Sequence, residues 1–149
     1  MKSNKTFSIL VSMLLGASLF AQASQTYKTQ LGVVPIANAS GRNNIDESAD
    51  VLAKASATAT LSGTKLTVSG TFEGFKFPAS LAQIHQSVAT GVRGPVLFDL
   101  TVTKAAKGSI SGTFDLTAEQ VDLLKNGRLY LQIHNQNTPE GALWGWFLK

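Results

Sequence analysis

Apolar and polar residues alternate with a period of two through much of the chain, the mark of strands with one buried face. The last stretch, Arg128–Lys149, is the clearest case: Leu129, Leu131 and Ile133 alternate with Arg128, Tyr130, Gln132 and His134. Asn135–Gly141 carries the Asn, Pro and Gly of a turn. Leu143–Leu148 is apolar on both faces, as in a strand covered on two sides. Upstream, Pro95–Lys104 sets Val96, Phe98, Leu100 and Val102 inward and Asp99, Thr101 and Thr103 outward. Lys104–Gly108 is a basic turn, with Ser109–Leu116 as the hairpin partner. Ala82–His85 is a short strand in which Ala82 and Ile84 face inward while Gln83 and His85 share the other side.

The first half is less regular. Val51–Gly63 and Thr64–Phe75 form a hairpin across Ser62-Gly63, with Leu66, Val68 and Phe72 on one face. Gly70 breaks that pattern and marks a bulge or a close backbone approach. Phe72, Phe75 and Phe77 read as core aromatics. Leu31–Ile36, closed by Pro35, has the character of an edge strand, and Ala37–Asp50 that of a polar loop. One helix is predicted, Thr117–Asn126. Thr117 caps it with Gln120 three residues on, Gly127 stops it, and Val121 and Leu124 point to the core. Seven or eight short strands joined by turns predict an all-β antiparallel sandwich or barrel with one short helix.

Met1–Ala23 stands apart from this pattern. Lys2 and Lys5 precede an apolar run, Phe7–Phe20, which ends at Ala21-Gln22-Ala23. These are the three regions of a secretory signal peptide, and the run is shorter than the roughly 20 residues of a spanning helix. The expected organisation is a signal peptide at 1–23, a strand and loop at 24–54 and the β domain at 55–149. After cleavage the chain is expected to be secreted or periplasmic, with no membrane span. The formal charge of +4 includes both leader lysines. No basic run interleaved with aromatics lies downstream, which argues against nucleic acid as a partner. The 149 residues include no cysteine, so thiol chemistry and cysteine metal sites are excluded. The sequon Asn38-Ala39-Ser40 is short enough to arise by chance.

Several motifs in order carry a family resemblance. They are Ala82-Gln83-Ile84-His85, Gly91-x-x-Gly94-Pro95-Val96, Gly108-x-Ile110-x-Gly112, Leu116-Thr117, Leu123-Leu124-x-x-Gly127-Arg128-Leu129-Tyr130-x-x-Ile133-His134 and Pro139-x-Gly141-x-x-x-Gly145. From about Ala55 to Lys149 the chain resembles the CHRD domain, named after chordin and found in exported bacterial proteins. The resemblance implies an immunoglobulin-like or superoxide-dismutase-like β-sandwich and no established activity. The family's first motif usually reads Ala-His-Ile-His-x-Gly, and here Gln83 and Ser87 replace its first histidine and its glycine. Its last usually reads Gly-Glu-Ile-Arg-Gly, and here Ala142 and Trp144 replace both charged residues.

The strand ending in His85 and the later strand ending in His134 also look like the copper half of copper/zinc superoxide dismutases. Two neutral imidazoles on adjacent strands suit copper or zinc, with copper(II) favoured by affinity order. Gln83 stands in the place of a missing ligand, and its carboxamide is a poor one for copper. With two histidines in the whole chain, a dismutase ligand set is incomplete. The ordinary role of such histidines is to hydrogen-bond neighbouring strands or turns. Trp144 and Trp146 share one face of the last strand with Ala142 and Leu148. The alternation leaves open whether they enter the core or, with Arg93 in the loop Gln86–Pro95, serve a glycan or an extracytoplasmic protein. No nucleophile elbow, phosphate loop or paired carboxylates appear. The expected function is thus a non-enzymatic binding or structural module. Metal binding through His85 and His134 is the first alternative, and a dismutase-like enzyme the second. Sequencing the N-terminus of the exported protein tests the leader: the expected first residue is Ser24, and an intact Met1 would show that it is retained.

Overall fold

The computed structural model describes residues 23–34 and 52–149. Most of the expected signal peptide, the loop Ala37–Asp50 and the sequon at Asn38 lie outside them. The strands are β1 (Gln25–Val33), β2 (Lys54–Ser62), β3 (Lys65–Glu73), β4 (Ala79–Gln86), β5 (Val96–Val102), β6 (Gly108–Asp115), β7 (Leu129–Asn135) and β8 (Thr138–Trp146). The helix α1 (Ala118–Lys125) links β6 to β7. All pairings are antiparallel. The strands run β1-β2-β3-β6-β5-β4-β7-β8 around a closed barrel.

Closure selects the barrel of the two architectures the alternation allows and corrects the immunoglobulin-like or dismutase-like sandwich that the resemblance implied. Period-two alternation buries one face of each strand in either architecture, and what separates the two is whether the outer strands meet. Here they do, along two thin seams. β5 meets β6 through Thr101–Ser111 and Val102–Ile110. β1 meets β8 through Gly32–Trp144 and Val33–Leu143, with a further bridge from Lys28 to Leu148. The strand begun at Leu31 is therefore no edge. It starts at Gln25 and pairs on both sides.

The barrel is filled unevenly. β2 turns Ala55, Ala57, Ala59 and Leu61 inward and its Ser and Thr outward, so the weak Ala-Thr pattern is a true strand with small interior side chains. Opposite Ala57 lies Gly70, in unbroken register. A Cβ there would sit 2.5 Å from the Ser56 carbonyl oxygen and 2.7 Å from the Ala57 Cβ, so the glycine serves a close approach and not a bulge. Larger side chains from β4, β7 and β8, among them Ile84, Leu131, Ile133 and Leu143, fill the other side together with Phe147 just past β8. Phe72 and Phe75 are core and meet edge to face at 5.4 Å, while Phe77 is half-buried beside the Lys76 ammonium.

Helix α1 follows its sequence signals. The Thr117 hydroxyl accepts from the Gln120 amide, the Gln120 side chain accepts from the Thr117 amide, and Val121 and Leu124 are buried. Val96 departs from expectation: it lies 47% exposed although the alternation put it inside. Ile84 pairs with Phe98 and His85 with Val96, so Leu97 is an extra residue that turns Val96 onto the outer side with His85. The turn after His134 is also shorter than expected. β7 runs to Asn135, whose Oδ1 accepts from the Asn137 and Thr138 amides and the Thr138 hydroxyl, each at 2.9 Å.

The close approach gives a direct test. Gly70→Ala is expected to lower stability by about 1–3 kcal/mol in urea denaturation, because backbone atoms block the new methyl. Gly32→Ala, where nothing lies within 4 Å, is expected to leave it nearly unchanged.

Candidate functional site

Every residue of β7 is buried, not only the inward-facing half. Leu129, Leu131 and Ile133 belong to the core, so Tyr130, Gln132 and His134 are buried on the outer face. β4 brings Gln83 and His85 to that face on one side, paired with Gln132 and Tyr130. β8 brings Trp144 and Trp146 on the other, paired with the same two residues. The tryptophans therefore lie outside the barrel, half-buried, which settles the choice between core and outer face. Their rings pack at 4.7 Å, and Tyr130 lies 4.9 Å from Trp146 and 6.0 Å from Trp144.

The loop after β4 reaches onto this face. The Ser87 hydroxyl, at the place of the family glycine, donates to the Val92 carbonyl and accepts from the Ala89 amide, which ties the loop together. Gly94 donates its amide to the Tyr130 hydroxyl at 3.1 Å, and that hydroxyl in turn reaches the Gly94 carbonyl at 3.3 Å. A Cβ on Gly94 would collide with the Gln86 carbonyl, so glycine is required for the fold-back. Arg93 donates to the Glu140 carbonyl at 2.7 Å, pairs with the Glu140 carboxylate at 3.9 Å and lies over the Trp144 ring.

Both histidines sit in this assembly. His85 is 7% exposed and stacks on Tyr130 at 4.8 Å; His134 is 8% exposed, and the imidazole centroids are 6.4 Å apart. His85 places Nδ1 at 3.0 Å from the Gly94 carbonyl, and His134 places Nδ1 at 2.9 Å from the Pro139 carbonyl. A carbonyl oxygen only accepts, so each Nδ1 carries the hydrogen and each Nε2 presents a lone pair. Both Nε2 atoms are buried with no hydrogen-bond partner. The buried Trp146 indole nitrogen is unpartnered on the same face. The histidines thus make the expected structural bonds through one nitrogen and keep the other free.

Burial is the first cause that lowers both imidazole pKa values from the ordinary 6.5. The Gly94 carbonyl partly offsets it for His85, while His134 and Arg93 push that ring further down. For His134 the Pro139 carbonyl and Glu140 pull upward and Arg93 pushes down. Neutral rings with Nδ1–H fixed by a carbonyl are the form in which histidine binds metals.

Gln83 does not join the pair. Its amide donates to Asp99 Oδ1 at 2.7 Å, toward β5 and away from β7. Gln132 was not singled out in the sequence, yet it lies between the two histidine positions along β7 with its amide held by the Glu140 carbonyl at 2.6 Å. Gly141 has φ +108, and a Cβ there would collide with the Gln132 amide. Two polar residues at spacing two before an Asn-rich turn were the available signal. Among the described residues no group of three or more His, Cys, Asp or Glu is placed to hold a metal ion.

A family model for the CHRD domain matches residues 36–146. The chain belongs to the CHRD family. No curated protein and no solved structure gives a significant match. In this CHRD chain Trp144, one of the two positions where charge is usual, packs against Tyr130 on the histidine face, and Ala142, the other, is buried in the core cluster.

The lowered pKa values fix a pH dependence. The unfolded chain takes up protons near 6.5 that the folded rings refuse, so this contribution to stability is complete above that value. It is lost as pH falls through 6.5 toward the lower folded values. Thermal melts are expected to show Tm falling between about pH 7 and about pH 5, with a flatter profile in His85→Gln/His134→Gln.

Proposed function

We propose that this CHRD domain is an exported binding module, not an enzyme, and that its ligand is a late first-row metal ion held by His85 and His134. One observation carries the reading: two imidazoles more than nine-tenths buried, each with Nδ1 bonded to a carbonyl and Nε2 unpartnered. Leaving such an atom unmet costs about 1–3 kcal/mol, and an ion on both would remove that cost twice. The Gly94 and Pro139 carbonyls then act as the outer support that orients the ligands. Imidazole suits copper and zinc, the two ions of this reading.

Ligand count supports binding over turnover. The chain has two histidines and no cysteine, which leaves a dismutase-type centre short of imidazoles. Trp144 and Trp146 are half-buried against Tyr130 and Arg93, so they serve as a wall of the site before they serve as an open platform for a glycan or protein.

Isothermal titration of the leader-free protein with copper(II) and zinc(II) tests this. One ion per chain is expected, weakened by about 100-fold or more in His85→Ala and in His134→Ala. Circular dichroism checks that each variant is folded. Binding unchanged in folded variants would return both histidines to a purely structural role.

A further inference from the structure

The surroundings of the pair narrow the ion further, and the argument rests on the metal reading above. We infer that His85 and His134 form a two-coordinate site selective for a monovalent d10 ion, copper(I) in nature and silver(I) as its inert analogue.

Three observations lead there. The first is ring separation. With a metal–nitrogen bond of about 2.0–2.1 Å, an imidazole centroid lies roughly 3.2 Å from its ion. Two rings opposite one another across an ion would then have centroids about 6.4 Å apart, and two at a tetrahedral angle about 5.2 Å. The observed centroids, 6.4 Å apart with the ring planes 28° from parallel, lie within the span that one ion can bridge between two imidazoles. Digonal coordination by two nitrogens is ordinary for copper(I) and silver(I) and foreign to zinc(II) and copper(II).

The second is the shortage of further ligands. Gln83 is committed to Asp99 at 2.7 Å, Gln132 gives its amide hydrogen to Glu140, and the buried Ala142 offers nothing. Zinc(II) would require two more donors to complete its tetrahedron.

The third is charge. Glu140 is paired with the Arg93 guanidinium at 3.9 Å, and that cation lies over the Trp144 ring, so this carboxylate brings a positive charge with it. The desolvation cost of an ion rises with the square of its charge, so a dication between two neutral ligands pays about four times what a monocation does. The indole and phenol faces of Trp144, Trp146 and Tyr130 add a soft, polarisable wall that favours a compact monocation.

The experiment titrates the leader-free protein with silver(I) nitrate, and anaerobically with copper(I) buffered by a chromogenic chelator, against zinc(II) and copper(II). The two readouts are the fluorescence of the chain's two tryptophans and the imidazole nitrogen shifts in 15N NMR. Silver(I) and copper(I) are expected to bind one per chain, at least about 100-fold more tightly than either dication. Both Nε2 resonances should move and the fluorescence should be quenched. Zinc(II) or copper(II) binding as tightly at the same nitrogens would overturn the monovalent assignment and leave metal binding standing. Failure of every ion to move the Nε2 resonances of the wild-type protein would overturn both, with no dependence on a variant that folds.

Discussion

The structure depends on burying β7 from both sides. Its inward residues, Leu129, Leu131 and Ile133, meet the core in the usual way. Its outward residues, Tyr130, Gln132 and His134, are polar, and a buried polar group must find a partner or cost free energy. Each finds it in neighbouring backbone: Tyr130 at Gly94 in the loop, Gln132 at Glu140 and His134 at Pro139 at the start of β8. The polar outer face of one strand thereby dictates where the 87–95 loop and the start of β8 lie. That satisfaction is incomplete at His85 and His134, whose Nε2 atoms stay buried without a hydrogen-bond partner.

Strand positions, the helix and its cap were legible because each rests on local alternation or on a four-residue motif. Closure was not legible, since nothing in the alternation of Leu143–Trp146 states that this strand meets Gly32 and Val33. The placement of Val96 was hidden for a related reason: one extra residue at Leu97 reverses the facing of what precedes it, and a pattern read on β5 alone cannot see its partner's register. Both histidines were legible as candidates. Their tautomers were not, because the carbonyls that fix them come from Gly94, nine residues beyond His85, and from Pro139, across a turn shorter than expected.

The motif departures take on a physical sense in the fold. Gln83 leaves the histidine face for Asp99, and the Ser87 hydroxyl gathers the loop where a glycine is usual. Ala142 joins the core cluster and Trp144 packs on Tyr130, each where charge is usual. These two changes exchange charged groups for apolar packing beside β7.

The two thin seams divide the barrel into halves, β1-β2-β3-β6 and β5-β4-β7-β8. Local opening starts where cross-strand hydrogen bonds are fewest, so transient breathing runs along these lines first. His85, His134, Tyr130, both tryptophans and the 87–95 loop all belong to the second half. The barrel can therefore gape between its halves while β4 and β7, which carry the imidazoles, stay paired, and what such breathing touches first on this face is Trp144, seated on the seam opposite Gly32.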